Sequence, residues 1–272
     1  MDRREGALHE PRKGAGVLHE VPLTVNGYTF LAQYRDEDRD HVLMPLIDRI
    51  VEVHAAHDAP RTIVFLAGPP VAGKSTLTLL LEVLANEHGD CNLQAVGLDG
   101  FHHYNTYLQS HSLERDGQSV PLMSVKGAPE TFDCARFAQK LRELAGGGAV
   151  AWPVYDRTIH DPREDALKVT APLVLVEGNY LLLDEEPWRE LLPLADLAVF
   201  LTANEALLRE RAIARKAKGG LTREEAAEHY ERSDGPNIHR VLSGSVPADV
   251  IIERLEDGRL WLYDDVPSGD AS

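Results

Sequence analysis

A chain of 272 residues, 43% hydrophobic and 26% charged, can bury a full core and lies between one large domain and two small ones. Its net charge of −16 excludes a general binder of nucleic-acid backbones, because a polyanion would be repelled over most of the surface; any anionic substrate must be held by local basic residues. Two distant cysteines, Cys91 and Cys134, without a His/Cys cluster, suggest neither a disulfide framework nor a zinc site, and no apolar run reaches the roughly 18 residues of a membrane span. A soluble, cytoplasmic protein with no nucleic-acid or membrane partner is expected.

Residues 1–20 show little periodicity and read as a loose tail. From Val21 to Tyr34 two extended pieces flank Asn26-Gly27, a hairpin turn signal. Between Asp36 and Ala56, Val42, Leu43, Leu46, Ile47, Ile50 and Val53 recur at helical spacing, with Pro45 a local objection. A structural role is expected for this hairpin and helix, whose edge could also serve a homodimer. Thr62–Ala67 then forms a β-branched and aromatic run that breaks into a Gly/Pro turn, and apolar Leu77, Leu80, Leu81 and Leu84 follow it at helical spacing.

The turn, Gly68-Pro69-Pro70-Val71-Ala72-Gly73-Lys74-Ser75-Thr76, fits G-x-x-x-x-G-K-[ST], the phosphate-cradling P-loop, in the strand–loop–helix setting that the motif requires. Gly68 and Gly73 let the backbone curl so that amide donors and the positive helix end converge on phosphates. Lys74 supplies a mobile point charge, and the Ser75 hydroxyl a ligand for Mg²⁺.

Gly89 is a plausible helix stop, and Leu93 to Leu98 reads as a buried strand ending at Asp99. Residues 106–130 form a long polar stretch, expected to be a loop covering the substrate. Asp133 caps a helix carrying Phe137, Leu141 and Leu144, ended by Gly146-Gly147-Gly148. Ala149–Val154 is strand-like and Tyr155–His160 a polar loop; Leu173–Glu177 and Asp196–Leu201 are further buried runs. A basic helix spans about Asn204 to Lys218, Thr222-Arg223-Glu224-Glu225 is a capping box, and Ala248–Ile252 with Leu260–Tyr263 closes the chain as a hairpin across Asp257-Gly258. Strands alternating with helices predict an α/β three-layer sandwich of the P-loop NTPase type with a mostly parallel central sheet. The division is a tail, hairpin and helix over 1–60 and a P-loop domain over 61–272.

Phosphoryl transfer needs a phosphate cradle, a metal, a proton acceptor and positive charge, and each has a candidate. Asp99 and Glu177 end two strands expected beside the one that feeds Lys74. One can act as base and the other can hold the metal, which makes Ser75, Glu177 and Asp99 the metal-side set. Arg211 and Arg215, four apart on the basic helix, share a face and could close as a lid, while a solvated face paired with Glu205 and Glu210 is the competing reading. His102 and His103 lack a third ligand nearby and read as substrate contacts or simple polarity.

Asp99-Gly100-Phe101-His102-His103-Tyr104-Asn105, Lys126-Gly127-Ala128-Pro129-Glu130-Thr131-Phe132-Asp133, Pro153-Val154-Tyr155 and Val176-Glu177-Gly178-Asn179 together resemble bacterial-type pantothenate kinase, within the wider family of uridine kinase and phosphoribulokinase. The match runs in order from roughly Arg61 to Ile252. The resemblance implies an ATP- and Mg²⁺-dependent kinase acting on a hydroxyl of a small metabolite. Asp99 would be the base, Lys74 the phosphate contact, Ser75 and Glu177 the metal-side groups, and His103, Tyr155 and Asn237 acceptor contacts. Where pantothenate kinases carry a histidine two residues after the tyrosine, this chain has Arg157. Tyr155-Asp156 followed by His160 resembles the base-and-ribose loop of uridine kinases, and the overall pattern is similar to a branch described as nucleoside/nucleotide kinase-like or fructose-transport-associated kinase. A sugar or nucleoside is the expected acceptor. An ATP-binding regulator without turnover is the alternative, and a GTPase ranks lower because no Asn-Lys-x-Asp segment occurs.

Overall fold

The computed structural model describes residues 16–25, 28–87, 91–115 and 117–263. The Asn26-Gly27 turn, the Gly89 stop and residues 1–15 of the expected tail lie outside the described residues.

The chain opens with an antiparallel hairpin, β1 (Leu18–Val25) and β2 (Tyr28–Arg35), so ordered structure begins inside the stretch expected to be tail. A short turn α1 (Asp36–Asp38), a π turn (Arg39–Leu43) and α2 (Met44–Ala56) follow without a break. Pro45 lies just past the π turn of this continuous helical run, where the regular α-helical ladder is already interrupted, and a helix forms there despite the proline. Then come β3 (Thr62–Ala67), α3 (Lys74–Glu87), β4 (Leu93–Gly97) and a 3₁₀ turn, Leu98–Phe101, which carries Asp99 just past the strand end.

The stretch expected to be one long loop is instead built. It holds α4 (Asn105–Ser110), a small hairpin of β5 (Ser112–Arg115) and β6 (Gln118–Pro121), and two 3₁₀ turns, Leu122–Val125 and Pro129–Thr131. After α5 (Cys134–Ala145), β7 (Val150–Asp156) pairs with β8 (Asp161–Val169), which places Tyr155 and Asp156 in a strand rather than a loop. β8 is absent from the sequence-based reading because its segment, DPREDALKV, is too charged to read as a strand. The chain ends with β9 (Leu173–Gly178), β10 (Leu197–Ala203), α6 (Glu205–Lys218), α7 (Arg223–His229), a π turn (Tyr230–Asp234), α8 (Gly235–Gly244), β11 (Val250–Arg254) and β12 (Leu260–Tyr263).

Six strands form the central sheet in the order β12-β11-β10-β3-β9-β4, parallel except for β12. Alternation along β3 sends Val64 and Leu66 to one core, shared with α3, α2 and the N-terminal hairpin, and Ile63, Phe65 and Ala67 to the other, shared with α5, Trp152 and Trp188. Helices therefore cover both faces in three layers. The free edge of β4 is covered as well: the Ala95 amide donates to Glu82 Oε1 (3.3 Å), and Trp152 Nε1 donates to the Gly97 carbonyl (3.0 Å).

Register then fixes the functional ends of the strands. Glu177 pairs with Leu66 on one side and Gly97 on the other, so β9 separates the strands that lead to the P-loop and to Asp99. Asp99 is thus one strand further from Lys74 than expected. Its turn is seated by Gly100, where a Cβ would meet the Pro153 carbonyl oxygen at 2.2 Å, beside an irregularity in β7. Gly100→Ala is accordingly expected to lower stability by about 1–3 kcal/mol, measured by urea unfolding, because backbone rather than a pliable side chain must yield.

Candidate active site

The P-loop leaves β3 through Gly68, where a Cβ would lie 2.1 Å from the Leu201 carbonyl oxygen of the neighbouring strand, so no side chain fits. Val71 adopts φ +61° and Gly73 φ +106°, curling the loop into the N-terminus of α3. From below, Arg254 at the end of β11 donates from Nε to the Ala72 carbonyl (3.0 Å) and from Nη1 to that of Gly258 (3.2 Å), with its guanidinium 3.1 Å from where a Gly73 Cβ would stand. Burial and nearby Arg211 lower Arg254 to a pKa of about 10, so it stays charged at neutral pH as a prop under the loop.

Lys74 is 6% exposed. Its Nζ donates to the Pro69 carbonyl (2.9 Å) and to Asn179 Oδ1 (2.6 Å), which aims the ammonium along the loop. Burial lowers its pKa to about 8, against the pull of Glu177 and Asp99 and with a push from Arg215. The Ser75 hydroxyl donates to Glu177 Oε1 (2.9 Å). Desolvation and neighbouring Asp99 raise the Glu177 carboxyl above its usual range, opposed by Lys74 and by the Ser75 hydrogen bond.

A cavity of about 470 Å³ opens over these groups. Its lining includes Pro70, Val71, Gly73, Lys74, Ser75 and Thr76 of the P-loop, and it also takes in Asp99, Glu177, Arg211, Arg215 and Asn237. The basic helix is divided: Arg211 and Arg215 turn to the cavity, Arg215 reaching Asp234 (3.4 Å), while Arg209 turns outward to Glu231 (3.3 Å) and the Tyr230 ring. Asn237 is held on α8, which is tied down where Arg240 bridges Glu185 (2.5 Å) and Glu130 (2.7 Å).

Of the two adjacent histidines, His102 rather than His103 lines the cavity. His102 packs on Phe132 with Nδ1 2.9 Å from the Asp99 carbonyl oxygen, and burial lowers its pKa, so the ring is neutral at pH 7. His103 stacks on Tyr107 and lies off the cavity wall. His160 is exposed in the β7–β8 turn at φ +54°, contributing its carbonyl to Asn105 Nδ2 (3.0 Å) and Lys126 Nζ (2.8 Å).

Tyr155 faces a second, smaller cavity of about 310 Å³ behind the Ser75–Glu177 pair, lined also by Leu79, Glu82, Val96, Trp152 and Leu167. The two cavities share Ser75, Asp99 and Glu177.

Residues not singled out from sequence also converge here. Lys126 and Asn179 sit within quoted motifs without an assigned role, and Arg157 stands out only as a departure from a motif. His229 and Asp234 face each other at 3.6 Å. Phe30 reaches the larger cavity and Thr24 the smaller one, so the N-terminal hairpin, expected to be structural, touches both.

The oxygen donors Ser75 and Glu177 beside a phosphate cradle suit a hard cation such as Mg²⁺, which shares its shell with phosphate oxygens. Among the described residues no three His, Cys, Asp or Glu side chains cluster as a metal site of their own. No helix of the described residues is long and apolar enough to cross a membrane.

Two outcomes follow from the buried cations. ADP affinity begins to fall as pH rises above about 8, when the free Lys74 amine loses its proton, and in Lys74→Arg this inflection disappears from a calorimetric titration series. Arg254→Ala weakens ADP binding about tenfold, because the loop loses its charge-assisted support.

Residues 63–260 match the model of the Phosphoribulokinase / Uridine kinase family. The chain is 47% identical over 241 residues to the uncharacterized protein YggC of Escherichia coli (strain K12), spanning 88% of this chain and 98% of that protein. It is 31% identical over 202 residues to "Putative uridine kinase C227.14" of Schizosaccharomyces pombe, spanning 72% and 84% respectively. The crystal structure of a "putative fructose transport system kinase" from Silicibacter sp. TM1040 superposes with a TM-score of 0.68 at 29% identity, covering 77% of this chain and 98% of that one. The chain belongs to the phosphoribulokinase/uridine kinase family of P-loop kinases, which use ATP with Mg²⁺.

Proposed function

We propose that the protein transfers the γ-phosphoryl group of ATP to a hydroxyl of a small metabolite, a sugar or a nucleoside. The observation that carries this reading is the meeting of Lys74, Ser75, Glu177 and Asp99 in the lining of one cavity that Arg211 and Arg215 also line. A protein that only bound ATP would need the cradle but not a carboxylate beyond it at Asp99.

Lys74 and the P-loop amides hold the phosphates, and Arg211 and Arg215 offset the charge that develops on the transferring group. Asp99 takes the proton of the acceptor hydroxyl as its oxygen bonds to the γ-phosphorus and ADP leaves. Asn179 and Arg254 act through the lysine and the loop as positioning residues. Ser75 and Glu177 would hold Mg²⁺, which supplies positive charge to the phosphate oxygens when bound. Asn237, Tyr155, His103 and His160 are the proposed acceptor contacts, of which Asn237 stands on the wall of the larger cavity and Tyr155 on that of the smaller.

The test is ADP release from Mg-ATP with sugars and nucleosides as acceptors, and Lys74→Ala as the blank. Stimulation by an acceptor, lost in the blank, is expected. Asp99→Asn should lower kcat by about 10²- to 10⁴-fold while ATP binds as well or better. Undiminished turnover in Asp99→Asn would remove the proposed base, and ATP binding without stimulation by any acceptor would favour a regulator.

A further inference from the structure

Six cationic side chains line the larger cavity: Lys74, Lys126, Arg157, Arg211, Arg215 and Lys216. Two of them, Arg215 and Lys216, are neighbours in the last turn of α6 and meet one small cluster, His229 at the end of α7 and Asp234 at the end of the π turn. Asp234 is a carboxylate only 8% exposed. Its Oδ1 accepts from Arg215 Nη2 at 3.4 Å, a long bond, and its Oδ2 accepts from no donor. His229 Nδ1, 3.6 Å from that oxygen, is equally without a hydrogen bond. Among the described residues these two are the buried side-chain nitrogen and oxygen atoms left unbonded. Leaving a buried charge so poorly satisfied is costly, and the cost calls for a physical reason.

The chemistry of the cluster fixes how it can close. Lys216 Nζ lies 3.1 Å from His229 Nε2, and an ammonium group only donates, so Nε2 accepts and the ring proton stands on Nδ1, the nitrogen nearest Asp234. Burial and adjacent Lys216 lower the His229 pKa, which keeps the ring neutral at pH 7. A movement of under about 1 Å then turns Nδ1–H into a donor to Asp234 Oδ2. The backbone behind Asp234 is firm: the Gly235 amide reaches back to the Tyr230 carbonyl, and a Cβ on Gly235 would meet the Tyr230 ring and carbonyl oxygen at 3.0 Å. The other end of the cluster is loose. The Arg215 side chain is 49% exposed, and the bond to Asp234 is its one side-chain hydrogen bond among the described residues. Without that contact so long a side chain would sample many rotamers over the phosphate cradle.

We propose that Asp234 is a positioning residue for phosphoryl transfer: it aims Arg215 at the cradle, and when the γ-phosphoryl group of ATP draws the guanidinium inward, His229 closes the gap to Oδ2 with Lys216 holding its ring. This rests on the kinase reading and adds to it how one of the two cavity arginines is set. A guanidinium has five donors, so Asp234 can hold one edge while the others reach phosphate oxygens. The closing of His229 then supplies the bond that Asp234 loses as Arg215 moves, so that the buried carboxylate is satisfied in the loaded site.

A double-mutant cycle tests it, with Mg-ATP and an acceptor that turns over. Asp234→Asn keeps the shape of the side chain and should lower kcat about tenfold while the KM for ATP moves less than about twofold and thermal stability does not fall. Asp234→Glu should restore part of the loss. Arg215→Ala should lower kcat about 100-fold, and in that protein the further change Asp234→Asn should alter kcat less than about twofold, because the arginine it serves is gone. A loss in Asp234→Asn that adds to that of Arg215→Ala, or one confined to KM, overturns the proposal. If no acceptor turns over, the kinase reading fails on its own, and the cluster is read by ¹⁵N nuclear magnetic resonance of His229, assigned with His229→Gln. The same reading serves if Asp234→Asn does not fold. At pH 7 the ring of the free protein should carry its proton on Nδ1. A non-hydrolysable ATP analogue with Mg²⁺ should shift that proton as it bonds to Asp234, whereas Mg-ADP should not, and Arg215→Ala should abolish the response. The opposite tautomer, the same shift with ADP, or no shift with the analogue overturns the proposal.

Discussion

A buried ammonium group governs this molecule. Lys74 lies under the P-loop with only 6% of its surface exposed, and a charge so placed is tolerated only if the surroundings replace the water it has lost. The Pro69 carbonyl and the Asn179 amide oxygen do part of that by direct hydrogen bonds, and the field of Glu177 and Asp99 does the rest. Those groups come from the ends of three neighbouring strands, Pro69 after β3, Glu177 and Asn179 at β9 and Asp99 after β4, so the parallel register of the three is an electrostatic requirement as much as a packing result. A slip of β9 by one residue would turn Glu177 to the opposite face and take its charge away from the lysine.

The same constraint explains why small residues cluster where the strands end. Gly68 abuts the Leu201 carbonyl, Gly100 the Pro153 carbonyl and Gly178 the Leu98 side chain, each at a distance that leaves no room for a Cβ. Backbone approaches this close bring three strand ends and their acidic side chains within reach of one cavity. The aromatic cluster of the second core, with Phe137 and Trp152 packed edge to face on Phe101, then holds the Asp99 turn in place.

Legibility in the sequence followed locality. The P-loop, the strand ends carrying Asp99 and Glu177, and the capped helices at Asp133, Asn204 and Thr222 are set by residues a few positions apart, and pattern rules read them. What escaped is set by partners far along the chain. β8 is a strand because β7 lies beside it, not because DPREDALKV alternates, and the stretch after Tyr104 is ordered by its neighbours in the same way, through Asn105 to Asp161 and Lys126 to His160. Arg254, 182 residues from Ala72, carries no sign of its role under the P-loop. His102 and His103 show the finest grain of this limit: adjacent and alike in sequence, both follow the 3₁₀ turn Leu98–Phe101, yet one lines the cavity and the other stacks on Tyr107.

Net charge and site charge here have opposite signs, and the two are compatible because they act over different distances. Beyond a Debye length of about 8 Å at physiological salt, an approaching molecule meets a screened and mostly acidic surface. Inside the cavity the low-dielectric walls keep the fields of Lys74, Arg211 and Arg157 strong. A large polyanion must span the acidic exterior and meets that repulsion over its whole length, whereas a small anion meets it only on the way into the cavity. The basic helix α6, expected to be either a lid or a solvated face, divides between the two: Arg211 and Arg215 line the cavity, and its outer residues Arg209 and Glu210 pair with Glu231 and Arg223. The positive character of this cavity is a product of where six cations are placed, since their number across the sequence is outweighed by carboxylates.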